Sequence, residues 1–180
     1  MPEHWLRCWA RKAVDIPVMK KGTKIYFEVI SHSPEQTQKL GGFLGEKARA
    51  GDVFLLVGEL ATGKTCFTQG IAWGLGFGDW IASPSFVLIR EYQGRLTLYH
   101  IDFYRLNIEE IAELGLEDYF FREGVCVVEW AERALSLLPQ EHLLIKFEHL
   151  SENERKLCFE PKGQRYVELV SELKEKWSLL

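Results

Sequence analysis

The chain has 180 residues, 47% of them hydrophobic and 27% charged, the balance of an ordinary globular protein, which excludes a disordered or membrane-embedded class. Its formal net charge of −4 excludes a self-sufficient nucleic-acid binder, because neutralising phosphates supplies most of such a protein's affinity. Cys8, Cys66, Cys126 and Cys158 form no C-x-x-C pair, no His stands at zinc-ligand spacing, and no apolar run approaches twenty residues. With no signal peptide either, the chain reads as cytoplasmic, with reduced thiols and no membrane partner.

In chain order, residues 1–23, including Trp5, Trp9 and Lys20-Lys21, show no period and read as an irregular N-terminal extension. One domain is expected from 24 to 180. Ile25 to Ile30 has strand composition. Ser33-Pro34-Glu35-Gln36 opens a helix, with Ser33 as cap, Pro34 at the first helical position and Gln36 completing a capping box. Leu40, Phe43, Leu44 and Ala48 give it an apolar stripe, and Gly51 is expected to end it. Val53 to Val57 is an uninterrupted apolar run, as in a strand of a parallel sheet buried on both faces. A glycine loop follows, and a helix is expected from Lys64 to about Leu75, closed by Gly74, Gly76 and Gly78.

Ser83-Pro84-Ser85 is a turn, and Phe86 to Tyr92 and Leu96 to Asp102 read as an antiparallel hairpin across Gln93-Gly94. Ile108 to Tyr119 looks helical with a break at Gly115. Val125 to Val128 is another apolar strand, ending at Glu129-Trp130. His142 to Glu148 and Leu157 to Glu160 read as further strands, and Tyr166 to Trp177 as a closing helix. The predicted class is α/β, P-loop NTPase-like: a mainly parallel central sheet flanked by helices, with one antiparallel hairpin.

The chemistry begins at Gly58-Glu59-Leu60-Ala61-Thr62-Gly63-Lys64-Thr65, a Walker A sequence placed between a buried strand and a helix. Gly58 and Gly63 let successive N–H groups wrap a phosphate, to which the helix N-terminus adds partial positive charge. Lys64 reaches the outer phosphates, and the Thr65 hydroxyl is a magnesium ligand in such loops. Two acids end apolar strands, Glu129 after Val125-Cys126-Val127-Val128 and Asp102 after Leu98-Tyr99-His100-Ile101. They are candidates for the metal and the attacking water, and the residues alone leave open which does which. Ser83 and Ser85 flank Pro84 in a loop suited to sensing a γ-phosphate. Trp130 could stack on a base or pack on the sheet. Arg105, Arg122 and Arg133 are candidate charge stabilisers for phosphoryl transfer, and Cys66, at the helix start, could have its thiol pKa lowered by the dipole.

From about Phe27 to His149 the chain resembles the bacterial TsaE (YjeE) family, the ATPase component of the machinery that forms threonylcarbamoyladenosine on tRNA. The resemblance rests on ordered blocks: Gly58 to Phe67, Ser83-Pro84-Ser85-Phe86, His100 to Leu106, Glu113 to Tyr119, and Val128-Glu129-Trp130-Ala131-Glu132-Arg133. It implies an ATP and Mg2+ site in which Gly58 through Cys66 with Ser83, Ser85, Trp130 and Arg133 bind nucleotide. Asp102 and Glu129 match the family's essential acids, with Thr65 and Glu129 holding the metal. It also implies a TsaB–TsaD type partner and contact with tRNA only through that partner.

The chain departs from the family pattern at three points: Ala61-Thr62 where Gly-Ala is usual, Cys66 in place of a second Thr, and Ser85 in place of Thr. Ala61 and Thr62 are expected to restrict the loop slightly. A small-molecule kinase is the first rival, though no long Arg-rich lid is visible; a nucleotide-gated binding module with little hydrolysis is the second. The absence of an Asn-Lys-x-Asp element favours ATP over GTP.

Overall fold

The computed structural model of the chain describes residues 27–120 and 122–178. The extension expected over 1–23, and the domain boundary after it, lie outside the described residues.

Among the described residues seven strands form one sheet: β1 (Phe27–Ser31), β2 (Val53–Val57), β3 (Ile89–Tyr92), β4 (Thr97–Asp102), β5 (Gly124–Glu129), β6 (His142–His149) and β7 (Arg155–Lys162). Their spatial order is β1-β7-β6-β2-β5-β4-β3. The four central strands, β6, β2, β5 and β4, are mutually parallel, whereas β3 at one margin and β7 and β1 at the other pair antiparallel. The expected parallel sheet is therefore its middle, and the expected hairpin is one of its edges. This is a P-loop NTPase-like α/β fold. β2 is buried at all five positions because it has a neighbour on each side and helices on each face.

Among the described residues five α-helices cover the sheet: α1 (Pro34–Lys47), α2 (Lys64–Gly74), α3 (Ile108–Ala112), α4 (Glu117–Phe120) and α5 (Gln164–Trp177). Period-2 alternation sorts the strands' side chains to the two faces. Phe54, Leu56, Val125 and Val127 meet Leu40 and Leu44 of α1, Phe67 and Ile71 of α2, and Leu169 and Leu173 of α5. Leu55, Ile101, Cys126 and Val128 meet Ile111 of α3 and Phe120 of α4 on the other face.

Helices α1 and α2 lie unusually close, backbone against backbone. A Cβ placed on Gly41 or Gly45 would stand 2.2 Å from the Phe67 or Ile71 carbonyl oxygen. On Gly70 or Gly74 it would stand 2.0 Å from the Gln38 or 2.2 Å from the Gly42 oxygen. Glycine inside a helix costs about 0.5–1 kcal/mol relative to Ala, so these four positions are justified by the approach they allow.

Three local expectations are corrected. Ser33 Oγ accepts the Gln36 N–H as predicted, but the Gln36 side chain takes the N–H of His32 at 2.8 Å instead of that of Ser33. The extended Ser33 backbone (φ −159°, ψ 162°) leaves the amide one residue further back within reach. Helix α1 ends at Lys47, where Ala48 turns extended, and Gly51 (φ +85°) makes the following turn into β2. Phe86 to Leu88 are a turn and not the start of a strand: the Val87 and Leu88 N–H groups both close on the Pro84 carbonyl, at 2.7 and 2.6 Å.

Candidate nucleotide site

The parallel strands β2, β5 and β4 end on one edge of the sheet. Asp102 pairs in register with Glu129, and Glu129 with Leu56, two residues before Gly58. Topology thus gathers the glycine loop and both strand-end acids at one level, the edge at which open α/β sheets bind ligands.

The loop turns on three residues of positive φ: Gly58 (+144°), Ala61 (+62°) and Gly63 (+99°). A side chain at Gly58 would also strike the Phe147 carbonyl oxygen at 2.6 Å. Ala61 holds the left-handed conformation (φ +62°) at a cost on the order of 1 kcal/mol. Thr62 Oγ1 donates to the Glu59 carbonyl at 2.8 Å, tightening the loop from within. Gly63 caps α2 without a side-chain bond, and the first helical N–H to find a carbonyl is that of Phe67, on Gly63 O at 2.9 Å. The N–H groups of the first turn therefore remain available to an anion.

Lys64 is buried, and its Nζ donates to the carbonyls of Gly58 (2.6 Å) and Glu59 (2.7 Å). Burial pushes its pKa down, against the opposing pull of Glu129, Glu132, Asp102 and Glu59. The ammonium also lies 4.0 Å from the centre of the Trp130 ring, a cation–π distance. Trp130 holds a left-handed backbone (φ +58°), uncommon for so bulky a residue, and its ring packs on Tyr104 at 4.9 Å.

Glu129 is buried and fully engaged. Its Oε2 accepts the Thr65 hydroxyl at 2.9 Å, and its Oε1 lies 2.7 Å from His100 Nε2 and 3.2 Å from Thr68 Oγ1. Asp102 is buried too, with partners from loops: Oδ2 takes the Ser83 hydroxyl at 2.5 Å and Oδ1 the Tyr104 N–H at 2.8 Å. Ser85 approaches only through its N–H, which meets Ser83 Oγ at 3.3 Å.

The structure brings together Lys64, Thr65, Glu129, Trp130, Asp102 and Ser83. Arg133 stands beside them, 5.9 Å from the Trp130 ring, with its guanidinium donating to the Leu106 carbonyl at 3.0 Å. Arg105 lies 4.2 Å from the ring of the exposed Phe86. Arg122 is at the far end of β5, over Tyr119, so it has no part in this edge. The Cys66 thiol turns to the Pro34 carbonyl at 3.4 Å, and burial, with help from Glu35, raises its pKa to about 11. The thiol thus packs against α1 as a small, partly buried filler, with burial outweighing any lowering by the helix N-terminus.

Residues without an assigned role in the sequence reading also enter. His100 stands two positions before Asp102 and so shares its face, and Thr68 follows Lys64 by one helical turn; periodicity could have found both. Glu132 is less legible. Its buried Oε2 meets no partner among the described residues, and burial pushes the carboxyl up, against the pull of its own and Gly58's N–H and of Lys64.

Residues 31–157 match the family model described as threonylcarbamoyl adenosine biosynthesis protein TsaE. The chain belongs to the TsaE family. Similar relatives are named tRNA threonylcarbamoyladenosine biosynthesis protein TsaE. That of Bacillus subtilis is 44% identical over 78% of this chain and 89% of its own length. That of Treponema pallidum is 42% identical over 71% and 96%, and that of a Nostoc species 37% identical over 88% and 98%. The crystal structure of Bacillus subtilis YdiB superposes with a TM-score of 0.76 at 37% identity, covering 87% of this chain and 99% of that one. The TsaE resemblance read from the ordered blocks is thereby established, and with it the fold. No helix among the described residues is long and apolar enough to cross a membrane.

Proposed function

We propose that this TsaE-family chain is an ATP-binding and ATP-hydrolysing subunit that supports threonylcarbamoyladenosine formation on tRNA by a TsaB–TsaD type complex. One observation carries the reading: a glycine loop with a buried Lys64 lies at the same sheet edge as Glu129, whose carboxylate is hydrogen-bonded to Thr65. The relatives' names supply the pathway, and the net charge of −4 supports reaching tRNA only through the partner. The catalytic unit spans residues 24–180.

The N–H groups from Gly58 to Cys66 cradle the phosphates, the last through its backbone alone since its thiol faces α1. Lys64 exchanges two loop carbonyls for phosphate oxygens. Trp130 offers a ring face, and Arg133 a cation, beside the nucleotide. Thr65 and Glu129 suit magnesium: both present oxygen, the hydroxyl proton is spent on the carboxylate, and its lone pairs remain free. No cluster of three or more acidic, His or Cys side chains competes for a metal among the described residues. Thr65 and Glu129 would hold the cation, which when bound would supply charge neutralisation on the transferring phosphoryl group. Asp102 orients the attacking water, and Ser83, bonded to it, reports on the γ-phosphate with Ser85 behind it.

The test is multiple-turnover threonylcarbamoyladenosine formation, reconstituted with a TsaB–TsaD complex and a carbamoyl-adenylate supplier. Adding the protein should raise turnover, and Lys64→Ala should remove the gain. A folded, ATP-binding protein that gives no gain would leave a small-molecule kinase as the better account.

A further inference from the structure

His100 is completely buried on β4, yet no step assigned above uses it. Its Nε2 lies 2.7 Å from Glu129 Oε1, while its Nδ1 is buried without a hydrogen-bond partner among the described residues. Both Glu129 oxygens accept hydroxyl protons, Oε2 from Thr65 and Oε1 from Thr68, so the carboxylate is the acceptor and the hydrogen on the 2.7 Å contact is carried by Nε2. His100 therefore donates to Glu129. Thr68 Oγ1 lies 3.2 Å from the same oxygen but also 3.0 Å from the Lys64 carbonyl, and its one proton serves a single acceptor at a time. His100 is the committed donor to Oε1, and Thr68 the shared one.

Building on the site reading above, we propose that His100, seconded by Thr68, is a positioning residue that occupies Glu129 Oε1 and so presents Oε2, beside the Thr65 hydroxyl, to the divalent cation that accompanies the nucleotide. A carboxylate at a strand end is otherwise free to rotate and offer either oxygen. With Oε1 held from β4 and α2, one oxygen and one orientation remain. Outer partners of metal-binding side chains change metal affinity by about 10- to 100-fold when removed. The ring's volume also fills core space near Tyr92, 6.4 Å between centroids, so the role must be separated from packing.

The experiment uses the full chain with ADP and follows Mn2+ binding by electron paramagnetic resonance, alongside ADP binding in EDTA by equilibrium dialysis. His100→Leu, which keeps bulk and removes the donor, should weaken Mn2+ binding about tenfold and leave ADP binding in EDTA within about twofold. His100→Gln, which restores a donor at similar reach, should recover Mn2+ binding to within about threefold, and Thr68→Val should weaken it about threefold. In a Glu129→Gln background His100→Leu should cost nothing further, because the oriented carboxylate is already gone. Unchanged Mn2+ binding in folded His100→Leu overturns the proposal, as does a Gln variant no better than Leu. Should neither His100 variant fold, unchanged Mn2+ binding in Thr68→Val overturns it. Wild-type protein that binds no ADP at all would instead overturn the nucleotide-site reading on which it rests.

Discussion

The two acids at the sheet edge sit in register with each other but in surroundings of opposite build. Glu129 is held by hydroxyls from α2 and a ring from β4, all on regular elements packed into the core. Asp102 is held by Ser83 and Tyr104, both on loops, and the loop that carries Ser83 runs on into the exposed Phe86 and Val87 and the left-handed Leu88 (φ +71°). A group that must keep one geometry through a reaction belongs on rigid elements, and a group that must respond to a γ-phosphate belongs beside an exposed loop. On the function proposed above, the difference divides the site into a half that holds and a half that reports.

Lys64 lies within the electrostatic reach of both acids, so Lys64→Ala should have the largest effect: nucleotide affinity should fall about 100-fold or more, read by equilibrium dialysis. Next come the isosteric changes at the acids. Glu129→Gln and Asp102→Asn should each cut ATP turnover about 100-fold, but only Glu129→Gln should raise the Mg2+ concentration for half-maximal turnover, about tenfold. Equal Mg2+ shifts in the two variants would break the comparison, and full activity in both would remove the acids from the mechanism.

Within the reporting half, Ser83→Ala should lower turnover about tenfold and Ser85→Ala less than threefold, since only the Ser83 hydroxyl touches Asp102. Glu132, beside the Gly58 N–H and Lys64, is tested through stability. A carboxyl whose pKa is raised by burial binds its proton more tightly when folded. Its contribution is greatest below its ordinary value of 4.5 and is lost as pH rises through the native value. Glu132→Gln, always neutral, should exceed wild type by about 1 kcal/mol at pH 7, and the gap should close at pH 4 in urea unfolding. The smallest effect is expected at Ala61→Gly, which relieves the left-handed strain at φ +62° and should stabilise by about 0.5–1 kcal/mol.

Where the residues were legible depended on whether their signal is local. Val53 to Val57, the loop after it and the acid ending Val125 to Val128 declare themselves by apolar run and spacing, and each falls where expected. Phe86 to Leu88 did not, because three apolar residues in a row look like a strand until the Pro84 carbonyl captures two of their N–H groups. Arg122 looked like a candidate in the linear chain, but the direction of β5 carries it to the wrong end. The partners of Glu129 come from 29, 61 and 64 residues away, and only the strand order brings them together.

The interlocked glycines of α1 and α2 carry a consequence for genetics. Because Gly41, Gly45, Gly70 and Gly74 admit no Cβ, the two helices cannot slide or part without losing their contact, and the helix that begins at Lys64 is kept in place by one that lies outside the glycine loop and the strand-end acids. A loss-of-function screen would therefore return these glycines beside Lys64 and Glu129, and an allele that leaves every nucleotide-facing residue intact would still present as a nucleotide-binding defect.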